Sequence, residues 1–176
     1  GATVGAPIVR DKSFFFVTYE RVQEDFNSIL AIDPAAEALF DPAFIDSHGG
    51  FGPIEQPFTR NYFTPKFTQQ FSANNRLDVR YALENNKRDG DQVGDGFTFN
   101  DSLDRAAFQT NDLWSILGRM QTLVGTAGFN EFVFQASDFS NIIQGVGQPD
   151  FYTPDTPTLT YPSATFGQNG NTPQET

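Results

Sequence analysis

The chain contains no cysteine, and methionine, tryptophan and histidine occur once each in 176 residues. Without cysteine there is no disulfide framework, no thiolate zinc site and no cysteine nucleophile. Basic residues are also scarce, with 11 Lys and Arg against 22 Asp and Glu and a net charge of −11. This balance argues against nucleic-acid partners and anionic membrane surfaces, which require basic patches. The single histidine, His48, supports neither a metal site nor serine–histidine–aspartate chemistry, so we expect no enzyme activity and no cofactor.

Long apolar runs are missing as well. No uncharged stretch of about 18 residues is apolar enough for a membrane helix, so contact with a bilayer core would require β-structure. Phenylalanine, in contrast, is abundant, with 20 residues. Leu, Ile, Val and Phe together form about a quarter of the chain, which predicts a folded protein. The chain begins with Gly1 and lacks a leader-like segment, so we expect it to be processed or cut from a longer protein.

Alternation of apolar and polar residues is the dominant pattern. Helical periodicity is scarce, and its best candidate is Pro34 to Leu39, with Asp33 placed to act as the N-cap and Pro34 at the first helical position. In the stretch from Arg76 to Asn86, every second residue is apolar and nearly every intervening one is charged, as in a strand with one wet face. The apolar set is Leu77, Val79, Tyr81 and Leu83, and the other set is Arg76, Asp78, Arg80, Ala82 and Glu84.

The alternating segments group into three hairpins. The clearest turn is Ser72 to Asn75, whose composition is typical of tight turns. One strand is ambiguous, because Trp114 and Ile116 would lie on one face while Leu113 and Leu117 would lie on the other. The hairpins are predicted at about 1–24, 62–86 and 107–140, and the long connections at about 25–61, 85–105 and 141–176.

Short and long connections therefore alternate along the chain. Structureless links of such length are uncommon in soluble sandwiches, but outer-membrane barrels have short periplasmic turns and long outer loops. Strands of about ten residues or more suit a tilted crossing of the bilayer. The predicted fold is all-β, an antiparallel up-and-down meander of about six strands forming part of a transmembrane barrel with long extracellular loops.

Three segments resemble TonB-dependent outer-membrane receptors, most closely the Oar-like group. Residues 1–20 resemble the first barrel hairpin, with a Gly-rich strand, Pro7-Ile8, Asp11-Lys12 and three consecutive phenylalanines. Ala6 stands where the group usually has glycine. The segment Asn74 to Tyr81 resembles the second hairpin, and Phe129 to Phe134 resembles the Asn-Glu-Phe-x-Phe strand. The resemblance covers most of the chain in the family's order.

This resemblance implies a 22-stranded barrel with an N-terminal plug, located in the outer membrane of a Gram-negative bacterium. Such receptors import a scarce solute on energy from the TonB complex. Six strands are fewer than the roughly eight of the smallest closed barrel, and no plug or TonB-contacting segment is visible in the sequence. We therefore expect the N-terminal part of a barrel wall. Its implied partners are the rest of the barrel and plug, membrane lipid, the TonB complex through other parts, and an unidentified solute.

Candidate site residues fall into three groups. Wall residues predicted to face the lumen are Lys66, Arg76, Asp78, Arg80 and Glu84. Loop aromatics that could bind substrate are Phe97, Phe99, Phe151 and Tyr152. Other loop aromatics, including Phe40, Phe44, Phe51, Tyr161 and Phe166, could either grip substrate or pack the loops together. Asp89, Asp91 and Asp95 are spaced for a hard cation, but Val93 interrupts the ligand pattern, so turn-forming residues of a solvated loop are the preferred interpretation.

A different class of protein remains open. A secreted or surface β-rich adhesin or carbohydrate-binding module, stabilised by calcium through these aspartates, would also give alternating strands and long loops. The two alternatives differ in what covers the face formed by Leu77, Val79, Tyr81 and Leu83. That face meets lipid in a barrel wall and forms a packed core in a soluble sandwich.

Overall fold

A computed structural model describes residues 1–91, 101–145, 158–167 and 174–175 of the chain. Its long strands are β1 (Ala2–Val9), β2 (Ser13–Leu30), β3 (Gly52–Ser72), β4 (Asn75–Asp91), β5 (Ala107–Val124) and β6 (Gly128–Gly145). Each pairs antiparallel with the next one along the chain, and β1 forms one edge of the open sheet. The prediction of an all-β antiparallel meander is confirmed.

The remaining elements are short. Two helices, α1 (Pro34–Glu37) and α2 (Pro42–Ser47), lie between β2 and β3, and a 3-10 turn (Leu103–Arg105) precedes β5. Strands β7 (Leu159–Thr160) and β8 (Thr165–Phe166) pair with each other, while β9 (Gln174–Glu175) pairs with two residues of β6. The predicted helix is confirmed as α1, where the Asp33 carboxylate accepts a hydrogen bond of 2.8 Å from the backbone NH of Ala35.

Strands β2 to β6 are much longer than ordinary strands. They contain 17 to 21 residues, against a usual length of about 5–6. They extend beyond the predicted hairpins, so that β2 and β3 remain paired up to Leu30 opposite Gly52. The added residues are polar on both faces, as in Asn85 to Asp91, and therefore have the composition of a loop. Backbone pairing with a neighbouring strand holds them in the sheet.

The two ends of the sheet differ. At one end the strands are joined by the short turns at residues 10–12, 73–74 and 125–127. Asp11 takes a left-handed φ of 59° in the first turn, and Gly125 takes 64° in the third. The predicted turn between Ser72 and Asn75 is confirmed, with these two residues paired across it. We call this the turn end, and the opposite end the loop end.

Because side chains alternate along a strand, the pairing registers decide which residues share a face. Leu77 lies opposite Met120, and Leu83 lies opposite Trp114. The ambiguous strand β5 therefore joins the sheet with Trp114, Ile116 and Met120 on the face of Leu77. We call this the apolar face, and the side carrying Arg76, Asp78 and Arg80 the polar face.

The apolar face carries a continuous band across all six long strands. Two polar rows bound this apolar band. The row towards the loop end contains Asn61, Asn85, Asp112 and Ser140 on neighbouring strands. The row towards the turn end contains Asn75, Thr122 and Asn130. The apolar residues between these rows are Val4 and Ala6, Phe15, Val17 and Tyr19, Phe63, Pro65 and Phe67, Leu77, Val79, Tyr81 and Leu83, Trp114, Ile116 and Met120, and Phe132, Phe134 and Ala136. Polar residues enter the band only near its margins, with Asp138 opposite Trp114 at the loop end and Gln69 opposite Leu77 at the turn end.

The hydrophobic core lies outside the sheet, among the connections at the loop end. Residues 31–51, 101–106 and 158–167 fold together there, and we call them the loop cap. Its core cluster consists of the buried residues Ile32, Ile45, Ala164 and Phe166. By contrast, band residues such as Phe132 and Phe134 are 64% and 54% exposed. The sheet thus presents its apolar face to the surroundings, while the connections form their own small core.

Candidate functional site

The polar face contains a cluster of charges centred on the Asp78 carboxylate. Arg76 places Nε 3.0 Å from one Asp78 oxygen and Nη2 3.1 Å from the other. The Thr68 hydroxyl donates to the same carboxylate at 2.7 Å. Lys66 Nζ and Arg119 Nη2 lie 3.8 and 3.9 Å from it, so three strands converge on one buried carboxylate.

The cations of this cluster keep access to solvent. The side chains of Lys66, Arg76 and Arg119 are 44–47% exposed, whereas that of Asp78 is 9% exposed. Arg80 lies directly opposite Lys66 in the register and adds a further positive charge. The cluster therefore carries a net positive charge on this part of the polar face, in a chain that is acidic as a whole.

Glu84 forms a separate pair. Its carboxylate receives Arg60 Nε at 2.9 Å and Arg60 Nη2 at 3.0 Å, a bidentate arrangement. The structure therefore puts the five predicted wall residues on one face but divides them between two ion-pair groups. Such exposed pairs contribute little stability individually, about 0–1 kcal/mol each. Their main effect is to fix the positions of charged groups on the polar face of the sheet.

The loop cap is held together first by backbone hydrogen bonds. Leu103 donates its NH to the Gly50 carbonyl at 2.9 Å, and Ser102 donates to the Thr165 carbonyl at 2.9 Å. The connection after β2 and the segments before β5 and after β6 are thereby joined into one unit. The loop end of the sheet is consequently covered by a folded structure.

His48 and Asp104 join two of these segments through their side chains. His48 Nδ1 lies 2.6 Å from Asp104 Oδ2, and the His48 ring packs against the rings of Phe44 and Phe166. The Ser102 hydroxyl donates to the other Asp104 oxygen. Because Ser102 bonds to the carboxylate rather than to the imidazole, the trio lacks the serine–histidine contact that nucleophilic serine chemistry requires. This arrangement ties the loops together.

Phe166 is the centre of the cap. It is fully buried and packs edge-on against Phe40, Phe44 and Phe51, with ring centroids 5.0–5.7 Å apart. Tyr161 contacts Phe40 at 5.0 Å. Of the two interpretations of these aromatics, packing of the loops against each other is therefore the one that the structure supports for Phe166. Phe40, Phe44 and Tyr161 still expose part of their surface.

Several predicted site residues are outside the described part of the chain. These are the substrate-binding candidates Phe97, Phe99, Phe151 and Tyr152, together with Asp95 of the metal candidate. Asp89 is paired with Lys87, whose Nζ lies 2.9 Å from its carboxylate, and Asp91 ends β4. Among the described residues, no group of three or more His, Asp or Glu side chains is arranged to hold a metal ion.

The cap contacts were not predictable from sequence spacing. His48 and Asp104 are 56 residues apart, and Asp101 forms a buried ion pair with Arg105 beside the 3-10 turn. Loops carry no periodic pattern from which such contacts could be read. The only signal was composition, since the connections contained more aromatic residues than solvated loops need.

Comparison with known proteins identified no similar family, protein or structure. In the described parts of the chain, no helix has the length and apolar character needed to cross a membrane.

Proposed function

We propose that the chain is part of the wall of a TonB-dependent outer-membrane transporter of a Gram-negative bacterium. In this function the loops bind a scarce solute, and the barrel to which the sheet belongs provides its passage. The other partners would be the rest of the barrel, a plug, membrane lipid and the TonB complex. The support comes from the two faces of the sheet, from its strand lengths and from the sequence resemblance.

The apolar band is the observation that carries the proposal. Asn75 and Asn85, one in each bounding polar row, are ten residues apart along β4. At about 3.3 Å per residue this is about 33 Å along the strand, or about 25 Å across a membrane at a tilt of about 40°. That is the height of the lipid-facing band in outer-membrane barrels.

Aromatic residues occupy the edge of this band. The row next to the polar row at the loop end contains Tyr19, Phe63 and Trp114, together with Leu83 and Asp138. Trp and Tyr favour the membrane–water interface, where an apolar ring and a polar group are both solvated well. The Tyr19 hydroxyl donates a 3.0 Å hydrogen bond to Asn61 in that polar row, which suits an interfacial position.

The soluble alternative, an adhesin or carbohydrate-binding module, makes a different demand. Its sheet would need a second layer over the apolar face. No second layer covers that face in the described part of the chain: Phe63, Leu83 and Trp114 on the inner strands are 37–38% exposed. Lipid covers such a surface without a second layer.

Nitroxide labelling of neighbouring residues tests the proposal directly. Val79→Cys and Arg80→Cys would each place one thiol on an otherwise cysteine-free chain, on opposite faces of β4. The labels are introduced into the complete barrel to which this chain is proposed to belong, the barrel is reconstituted into phospholipid vesicles, and collision with oxygen is compared with collision with a water-soluble nickel chelate. We expect oxygen to relax the Val79 label strongly, and the chelate to relax the Arg80 label.

Each result decides between the alternatives. A packed core predicts that the Val79 label is inaccessible to both reagents. Equal access of the chelate to both labels would place both faces in water. Either pattern would overturn the proposed membrane location. The Arg80 label is the matched control, since it lies at nearly the same depth on the other face.

A further inference from the structure

An open groove of about 560 Å³ crosses the outer surface of the loop cap. Phe40, Phe44 and Tyr161 form its apolar walls, and Leu39 stands at its edge with 82% of its surface exposed. Phe40 and Phe44 both pack against the buried Phe166 from behind. The walls are therefore positioned by the cap core before any ligand arrives.

Carboxylates surround these apolar walls. Asp41 lines the groove itself, while Glu37 and Asp46 line a second opening of about 400 Å³, which shares Phe40 with the groove. From residue 22 to residue 59 the sequence has seven Asp and Glu and no Lys or Arg. An occupant that crosses Phe40 would thus meet three carboxylates and no nearby cation from this segment.

We propose that the groove binds an extended basic peptide with apolar side chains between its lysines or arginines. An apolar side chain would contact Phe40, Tyr161 and Leu39, and the flanking cations would face Asp41, Glu37 and Asp46. An anionic ligand would be repelled by these carboxylates. A purely apolar ligand would desolvate them without compensation, and a small polyamine would leave the aromatic walls uncovered.

This inference rests on the proposed function only in assigning the groove to solute capture. Peptide binding by the cap can be measured whatever medium surrounds the sheet. A failure to bind peptide would leave the accessibility of the Val79 and Arg80 labels unchanged. The two proposals can therefore fail separately.

The first measurement compares two fluorescein-labelled peptides by anisotropy. One alternates lysine with leucine, and the other has glutamate in place of each lysine. The measurement is made in nanodiscs of zwitterionic lipid and again in an uncharged detergent, so that neither medium carries a net charge and the result does not depend on insertion into a bilayer. We expect the lysine peptide to bind at least about tenfold more tightly than the glutamate peptide, with an affinity that falls as salt is added.

Substitution of the three carboxylates locates the site. Glu37→Gln, Asp41→Asn and Asp46→Asn are combined in one variant. Asparagine preserves the N-cap of α2, where Asp41 accepts a 2.9 Å hydrogen bond from Ala43 NH. Three exposed charge pairs together are expected to account for about a tenfold loss of affinity for the lysine peptide.

A matched variant separates local from general attraction. Glu24→Gln, Asp25→Asn and Glu55→Gln remove the same charge from the same acidic segment, away from the two grooves around Phe40. We expect it to change the affinity by less than about twofold. Leu39→Ser tests the apolar wall at an exposed position and should also weaken binding.

Several results would contradict peptide binding in the groove. Equal losses in the two triple variants would mean general electrostatic attraction and overturn the groove assignment. The proposal is also overturned if the glutamate peptide binds as tightly as the lysine peptide, because charge would then not be recognised, or if Leu39→Ser has no effect, because the apolar wall would then not be in contact. Displacement of the peptide by spermine at equal concentration would show that charge alone is recognised.

Discussion

The side-chain amide of Asn61 donates a 3.0 Å hydrogen bond to Oδ1 of Asn85 on the neighbouring strand. On the other face, Asn111 donates to Asn86 at 2.8 Å, and Asn141 donates to Asn111. These residues lie at one level of the sheet. Asparagine is unfavourable within strands unless its amide is paired. The paired asparagines therefore mark the level at which both faces of the sheet become polar.

If this level is a membrane interface, Trp114 should be shallow in the bilayer. It is the only tryptophan of the chain and lies on the apolar face, one row inside Asn85. In vesicles we expect lipids brominated near the headgroup to quench its fluorescence more than lipids brominated near the chain end. The comparison variant, Trp114→Phe with Val79→Trp, places the ring two rows deeper and should reverse that order. Quenching by neither lipid would contradict the interfacial position.

Val79 lies near the middle of the apolar band, so a charge there should be costly. Val79→Arg is expected to destabilise the protein in bilayers by about 2–4 kcal/mol, measured by urea unfolding from vesicles. Val79→Ala should be well tolerated, because lipid chains fill the space that the smaller side chain leaves. Gln135→Arg on the polar face of β6 is the control and should have little effect. Similar costs for both arginines would argue against lipid on one face.

The sequence predicted the part of the fold that depends on alternation. Leu77 to Leu83 marked one face of β4, and the short turns made neighbours of consecutive strands. The outer halves of the strands escaped prediction because residues such as Asn85 and Lys87 are polar on both faces. Their place in the sheet depends on pairing with a neighbour, which no local pattern encodes.

Alternation also determined which parts of the candidate site could be predicted from the sequence. Lys66, Arg76 and Asp78 could be assigned to one face because alternation fixes the face of each strand. Their contact with Arg119 required the register between β4 and β5, which only the structure supplies. The contact between His48 and Asp104 depends on how two loops meet, and a loop has no period from which such a meeting can be inferred.

Phe166 should determine the stability of the loop cap without affecting the sheet. Its ring is fully buried among Phe40, Phe44 and Phe51, so Phe166→Ala is expected to cost about 3–5 kcal/mol locally. Hydrogen exchange should then lose protection at the cap amides, such as Leu103 NH, while the paired amides of β4 keep theirs.

The control for this prediction is another phenylalanine. Phe129 is 61% exposed on the polar face of β6, and Phe129→Ala should leave cap protection unchanged. If Phe166→Ala instead weakened protection throughout the sheet, the cap and the sheet would be one cooperative unit.

Gly90 should be the least replaceable glycine of the sheet. Its φ is +65°, and a Cβ built on it would lie 2.3 Å from the carbonyl oxygen of Glu55. Gln56 holds this approach by donating a 3.0 Å hydrogen bond to the Gly90 carbonyl, and the backbone atoms cannot yield as a flexible side chain would. Gly90→Ala is therefore expected to cost at least about 2 kcal/mol, read from the midpoint of urea unfolding. Gly50 has a similar φ of +72° but open space around it, so Gly50→Ala should cost only the backbone strain of about 1 kcal/mol. Equal costs at the two positions would show that strain alone, without the steric contact to Glu55, explains the requirement for glycine at position 90.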